Sequence, residues 1–421
     1  MTMRAGCAEV EITPPLGAEK IGWLKRITPT RVADPLFARA LVLDANGTRL
    51  AFVALDTLCV RWTTVERIRK AVETQYGIPA AQVMIAATHN HGGPAVANVG
   101  LVPRDDAYLA SLEARVISAL GQAVERFEPA EIGFGRGILF DAAFNRRVRM
   151  RDGTTITHGK CSHPLALGLE GPIDPELLVM GVRRPSGAWL GALVNYAVHP
   201  AHHGGDECFS AGWPGVLANE LKARGVPCPL FLNGAYGNMA TSDPARDGLA
   251  LSMEETGRAV AQTAWQALQG LSFESDLQLS ARRSLVRLPF REATEDQIKG
   301  TVAGAQRFID PKIYDELMPG LLAQIRSRGT QPAEVQALRI GAHVFVSQPA
   351  ELFVELGLAI KEGAHPWRAF VVGGANGMVG YVPTREAHAR GGYETTFAPS
   401  SKLAPEAGEM LVAAALALLR D

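Results

Sequence analysis

The sequence predicts an α/β fold, a layered mixed β-sheet core flanked by helices, with a smaller α+β portion. Three observations carry that expectation. Short apolar runs of strand character alternate with stretches of helical periodicity along most of the 421 residues. Hydrophobic residues make up 47% of the chain and charged residues 20%, enough to bury a sizeable core and without the signature of disorder. Beyond residue 277 the texture changes to longer, half-exposed strands, which sets an α+β portion around residues 275–335.

Taken in order, the elements read as follows. Ala8-Glu9-Val10-Glu11-Ile12 is strand-like and runs into Thr13-Pro14-Pro15. Residues 50–55 are an apolar β run. Thr63-Thr64-Val65-Glu66 has the pattern of a capping box and opens an amphipathic helix to about Tyr76. Residues 83–87 form a short buried strand followed by a polar loop. Residues 106–127 place Leu109, Leu112, Val116 and Leu120 on one helical face. A strand at 189–196, a helix at 214–223, a strand at 229–232 and a long helix at 253–268 follow. Residues 277–288 alternate as a half-exposed strand should, and 296–308 are helical. Residues 335–340 and 343–346 form a hairpin across Gly341-Ala342. A helix at 351–361, a strand at 369–372 and a closing helix at 406–419 complete the chain. Residues 151–174 are rich in Gly, Thr and His without periodicity and read as a long loop of functional character. There is no internal repeat and no low-complexity tract.

Composition excludes several classes of function. A formal net charge of −1 gives no reason to expect nucleic acid or an anionic membrane surface as partner. No run approaches the ~18 uninterrupted apolar residues of a membrane span, and the first residues lack the apolar stretch of a signal peptide. The five cysteines are odd in number and scattered, which argues for a reducing compartment rather than a disulfide framework. A cytoplasmic protein without stable membrane association is expected.

The residues that could carry chemistry are histidines at strand ends. Thr88-His89-Asn90-His91-Gly92-Gly93-Pro94 follows a buried strand directly, where ligands gather in α/β folds. An H-x-H in strand-like conformation puts both rings on one face, able to bind or flank one ion. Asn195-Tyr196-Ala197-Val198-His199-Pro200 repeats the design, with His202 and His203 just beyond as less certain ligands. These two clusters hold five of the ten histidines. Imidazole is the commonest zinc ligand, so a metal site around His89 and His199 is the expectation. Gly133-Phe134-Gly135-Arg136-Gly137 lacks a full phosphate-loop spacing, and Cys208 stands where a serine nucleophile elbow near Ser210 would need glycine. His158, His163, His343, His365 and His388 stand alone and read as structural.

As an ordered set, these segments resemble the neutral/alkaline non-lysosomal ceramidase family. The Thr88–Pro94 run is similar to its His-x-His-Ser-Gly-Pro motif, and Asn195–Pro200 to its second metal motif. Phe144-Asn145-Arg146-Arg147, Ser210-Ala211-Gly212-Trp213-Pro214-Gly215, the segment 231–238, Gln348-Pro349-Ala350-Glu351, Gly380-Tyr381-Val382-Pro383-Thr384 and Gly392-Tyr393-Glu394 follow in the family's order. The resemblance implies one catalytic domain over residues 1–421, without the extra C-terminal β-sandwich of the ceramidases. It also implies zinc held by His89, His199, Glu351 and Tyr381, with His91, Arg146 and Tyr393 lining the catalytic centre. On residues alone, Glu351 reads as a helix-start carboxylate and Tyr381 as an edge-strand aromatic, and only the resemblance makes them ligands. Three departures stand out. Gly212 and Asn238 occupy places where the family favours Asp, and Ala240 replaces a Ser.

What the resemblance implies is hydrolysis of an amide (N-acyl) bond by a metal-bound hydroxide. His91, Arg146 or Tyr393 would donate to the developing oxyanion, or His91 would return a proton to the leaving amine. The expected partner is a small-molecule or amphiphilic amide substrate, small or amphiphilic rather than membrane ceramide. A metal-dependent esterase or lactonase on the same site, or a non-catalytic metal-binding relative, are the alternatives.

Overall fold

The computed structural model describes residues 3–420 and folds as three β-sheets meeting by their inner faces, each backed by helices. The first sheet contains β1 (Arg4–Glu11), β2 (Phe37–Ala45), β3 (Thr48–Leu55), β4 (Val83–Ala87) and β5 (Glu128–Pro129), in the order β4-β3-β2-β1-β5. Its outer face is covered by α1 (Trp62–Tyr76) and α2 (Asp106–Glu125). The second contains β6 (Glu131–Ile138), β10 (Glu176–Arg183), β11 (Trp189–Tyr196), β12 (Pro229–Asn233) and β13 (Phe273–Glu274), ordered β12-β11-β10-β6-β13. It is backed by α3 (Gly212–Ala223) and α4 (Met253–Gln269). Between β6 and β10 in sequence, β7 (Arg147–Met150), β8 (Thr155–Thr157) and β9 (Ala166–Leu169) make a small separate sheet. The third main sheet, β14-β15-β16-β18, joins β14 (Leu279–Pro289), β15 (Thr330–Ile340), β16 (His343–Gln348) and β18 (Arg368–Gly373).

Period-two alternation explains how one strand serves two cores. In β2, Leu41 and Leu43 point to the central core while Ala40 and Val42 face α1 and α2. Phe52, Met180, Leu193, Leu230, Phe345 and Phe370 fill that central core from all three sheets. Phe345 meets Phe52 edge-on at 4.7 Å between ring centroids. Gly133, Gly135 and Gly137 of β6 also find their explanation here. A Cβ on Gly135 would lie 2.5 Å from Leu271 and one on Gly137 2.5 Å from Thr263, so the glycines let the strand close on α4.

Although no sequence repeat is visible, one supersecondary unit occurs three times. An antiparallel hairpin is followed by a crossover helix and a strand parallel to the hairpin's second strand. The units are β2-β3-α1-β4, β10-β11-α3-β12 and β15-β16-α7-β18, where α7 is Val354–Gly363. Each parallel pair ends on the same side of the molecule, so six strand ends are pooled there. Buried asparagines lock the seams between units. Asn195 donates to Leu232 O (2.8 Å) in its own sheet and to Val371 O (2.9 Å) in the third. Asn376 accepts from Ile85 N at 2.9 Å and donates to Gln336 at 2.7 Å.

Several local expectations are corrected. The capping box at Thr63 does not form: α1 begins at Trp62, with Arg61 as N-cap and no side-chain cap, so Thr63 lies inside the helix. The helix expected at 296–308 is a single short one, α5 (Glu295–Lys299), stopped by the left-handed Gly300. The longer helix comes next, α6 (Pro311–Arg328), started by an Asp310 cap with Pro311 in its first turn. Its internal Pro319 hid it from the periodicity reading. Residues 151–174 are not one loop but carry β8 and β9. Glu351 does not begin a helix: Glu351–Leu352 is a short strand, β17, and α7 starts at Val354. Among the described residues, no helix is long and apolar enough to cross a membrane.

Candidate metal centre

Backbone hydrogen bonds fix the loop after β4 from both sides: Thr88 N donates to Leu55 O, Asn90 N to Thr57 O and His91 N to Pro200 O. His89 is held at a φ of 66°, in the left-handed region, rather than in the strand-like conformation expected of H-x-H. The turn still aims both rings inward, with centroids of His89 and His91 5.0 Å apart. His199, beyond the end of β11, completes the group, its ring 4.5 Å from His89 and 5.1 Å from His91.

What matters is where the ring protons sit. His89 Nδ1 faces Leu58 O at 2.9 Å, His91 Nδ1 faces Gly22 O at 2.7 Å and His199 Nδ1 faces Tyr236 O at 3.3 Å. A carbonyl only accepts, so each Nδ1 carries a proton, and in the neutral ring Nε2 then presents a lone pair. The Nε2 atoms of His89 and His199 lie 3.0 Å apart, lone pair toward lone pair, and His91 Nε2 is buried with no partner. Potential ligand atoms of all three rings lie within 4.8 Å of one another. Burial first, and then His89, hold His91 well below the ordinary imidazole range; burial and then Arg146 do the same to His199. These two rings are therefore neutral, the form a metal takes.

A carboxylate completes the donor set. Glu351 Oε2 is 3.3 Å from His89 Nε2 and 3.7 Å from His199 Nε2, buried and without a hydrogen-bond donor. Glu351 is directly opposite Tyr381 in the parallel pair of β17 and β19 (Tyr381–Val382), so register alone puts the two side chains on one face. Burial and the Glu351 carboxylate push the Tyr381 phenol up, with Arg146 pulling the other way. Three imidazole lone pairs, a carboxylate and a phenol oxygen make a set suited to Zn²⁺, with carbonyl-bound Nδ1 atoms of the kind that orient zinc-ligating histidines. His91, which the resemblance sets in the catalytic centre, lies by position within the ligand cluster. With its proton on Nδ1, its Nε2 cannot donate to an oxyanion.

Arg146 and Tyr393 lie beside this centre. Arg146 donates from Nε to Glu394 at 2.8 Å and from Nη2 to Gly237 O at 2.7 Å and to the Tyr381 hydroxyl at 3.2 Å. Glu394 also accepts from Arg147 Nη1 at 2.7 Å and Thr157 Oγ1 at 2.6 Å, and is fully buried. Burial alone would push its carboxyl up, but Arg146 and Arg147 outweigh it and hold it at about 2. The Tyr393 ring stacks on Phe308 at 4.7 Å and meets Tyr381 edge-on at 5.7 Å.

Sequence reasoning missed two members of this arrangement. Glu394 was quoted only as the neighbour of Tyr393, although two adjacent arginines, Arg146 and Arg147, called for a buried acid. Tyr236, whose ring lies 4.5 Å from His89, gave no signal of its own. His202 and His203 are not brought to the centre: His202 Nε2 bonds Leu251 O at 2.9 Å, and His203 pairs with Asp206 at 2.7 Å. His343 stacks on Phe134 at 3.7 Å, the structural role expected of it.

The three departures belong to the frame. Asn238 accepts from Val354 N at 2.9 Å, capping α7, and donates to Glu355 at 2.9 Å. An Asp there would set two carboxylates together. Gly212 sits at a φ of 65°, where a side chain is strained. Ala240 pairs with Phe144 across a two-residue ladder.

Comparison with known proteins follows the same lines. Residues 28–208 match the family model described as neutral/alkaline non-lysosomal ceramidase, N-terminal. The neutral ceramidase of Pseudomonas aeruginosa is 27% identical over 173 residues, which are 39% of this chain. That alignment spans only 24% of the relative's length. A ceramidase solved as a complex with C2 superposes with a TM-score of 0.76 at 21% identity, over 99% of this chain and 75% of the other. The crystal structure of the P. aeruginosa neutral ceramidase gives 0.75 at 20% identity, over 99% and 74%. At these identities the two solved structures bear on the fold.

Proposed function

The chain belongs to the neutral/alkaline ceramidase family, and on that premise we propose that it is a zinc-dependent hydrolase that cleaves an amide (N-acyl) bond. The observation that carries this reading is the convergence of the unprotonated Nε2 atoms of His89, His91 and His199 on the partnerless Oε2 of Glu351. Four buried acceptors facing one another repel unless a cation lies among them. His89, His199, Glu351 and Tyr381 would hold it, with His91 Nε2 left free beside it. Zinc bound there supplies Lewis acidity toward a carbonyl and acidifies water.

The remaining chemistry falls to side chains. Tyr393 is the oxyanion donor: burial pushes its phenol up, so the hydroxyl stays protonated. His91, with Nδ1 fixed on Gly22, offers Nε2 as the proton acceptor when water attacks and gives that proton to the leaving amine. Arg146 is held by Glu394 and Gly237 and positions the Tyr381 hydroxyl. No serine or cysteine takes part as nucleophile, so hydrolysis proceeds without an acyl-enzyme and stops on chelation.

For substrate we propose a small or amphiphilic N-acyl compound over ceramide in a bilayer. The near-neutral net charge supports this, because it gives the chain no overall attraction to anionic lipid. Leu165, Leu167 and Leu169 pull the other way, an exposed apolar stripe at β9 that the sequence pattern did not disclose. The test compares kcat/KM for short N-acyl amines, the matching esters and detergent-dispersed ceramide at equal zinc occupancy. Faster turnover of short amides is the expected result. Ceramide turnover equal to the best short amide overturns the substrate assignment, and ester-only turnover overturns the amidase.

A further inference from the structure

A polar cavity of about 180 Å³ lies behind the turn that carries Tyr393 and Glu394. Arg291, Gln297, Ala303, His388, Thr395 and Thr396 line it. Arg291 is its unusual member. Its Nη1 donates to Thr395 O at 2.9 Å and to His388 Nδ1 at 3.4 Å, and Nη2 to Ser401 O at 2.8 Å, while its Nε has no partner. Among the described residues no carboxylate opposes it, and burial alone pulls its pKa down to about 10. The guanidinium groups buried at the catalytic centre have an acid: Arg146 and Arg147 have Glu394, and Arg147 also has Glu170. His388 offers no counter-charge. Burial, then Arg291, Arg147 and Arg385, hold it at about 3, so it is neutral.

Arg291 is half-buried, lies 5.2 Å from the Phe397 ring centroid and has no acid beside it, so an anion in the cavity would supply the missing counter-charge. A phosphate or a small carboxylate fits a cavity of this size. We propose that this cavity is a binding site for a small oxyanion, which the Arg291 guanidinium in its wall attracts, next to the turn 391–396. Arg291 already holds that turn through Thr395 O, so the bound anion would sit against the mount of Tyr393 and Glu394. Inorganic phosphate and a free carboxylate share the chemistry required.

Titration calorimetry with inorganic phosphate on the full chain, at ionic strength held constant with chloride, tests this. Saturable binding should survive His89→Ala, which disables the metal centre, and weaken about tenfold or more in Arg291→Gln. Ala303→Trp, at an exposed lining position, fills the cavity while leaving Arg291 in place and should weaken binding similarly. If Arg291→Gln fails to fold, Ala303→Trp decides alone. Displacement by acetate at matching concentration assigns the site to carboxylates, and resistance to acetate assigns it to phosphate groups; both support it. Loss of phosphate binding in His89→Ala, unchanged binding in Ala303→Trp, or no saturable binding overturns the proposal.

Discussion

Glu394→Gln removes one negative charge from between two buried arginines and keeps the volume. In the native chain this carboxylate takes three hydrogen bonds, from Arg146 (2.8 Å), Arg147 (2.7 Å) and Thr157 (2.6 Å), with no exposed surface. Its pKa is lowered from 4.5 to about 2, which at about 1.4 kcal/mol per unit corresponds to roughly 3 kcal/mol of stability from ionisation. Removing one member of a buried ion group costs about 3–5 kcal/mol, because the partner charge is left uncompensated. The two routes agree, so Glu394→Gln should lower unfolding stability by about 3–5 kcal/mol. The sign of the pH effect follows from the depressed pKa. Glu394 contributes its stability above about pH 4.5 and loses it as pH falls toward about 2, so the gap between variant and native chain should close over that window. Urea unfolding followed by circular dichroism at pH 7 and pH 3.5 measures both quantities. A loss below about 1 kcal/mol at pH 7, or a gap that does not change with pH, would refute the assignment of Glu394 as the carboxylate clamping both arginines.

Asn238→Asp replaces the donor to Glu355 with a second carboxylate, and Glu355 is already pushed up by burial. The variant should be less stable by about 1–3 kcal/mol at pH 8, with the deficit shrinking as pH falls and one carboxyl protonates; a thermal-melt series against pH reads this. Tyr393→Phe should lower kcat by about 10²–10³ with KM and zinc content little changed if its hydroxyl meets the oxyanion. A change confined to KM would make it a substrate-packing residue instead.

The strands and helices that follow their own periodicity were legible in the sequence. Trp189–Tyr196 and Val83–Ala87 have the expected bounds, because short buried strands between turn signals admit little else. Elements whose ends are set by distant residues were not. α7 begins at Val354 because Asn238, 116 residues away, supplies the cap, and α6 was concealed by Pro319. In the candidate site, His89 and His199 stood out because each follows a strand end. Glu351 and Tyr381 meet through the pairing of β17 with β19, which no local pattern shows, and only the family resemblance pointed to them. The tautomers of the three histidines depend on Leu58, Gly22 and Tyr236 carbonyls, which become neighbours only when the three hairpin-helix-strand units assemble.

The most direct test is zinc content per chain, measured by plasma mass spectrometry after dialysis against trace metal, for the native protein, His89→Ala and His199→Ala. Circular dichroism on the same samples confirms the fold. The account predicts about one zinc per native chain and background metal in both variants, with amide hydrolysis lost in parallel. Full occupancy in either variant, or a native chain that hydrolyses amides without bound metal, would contradict it.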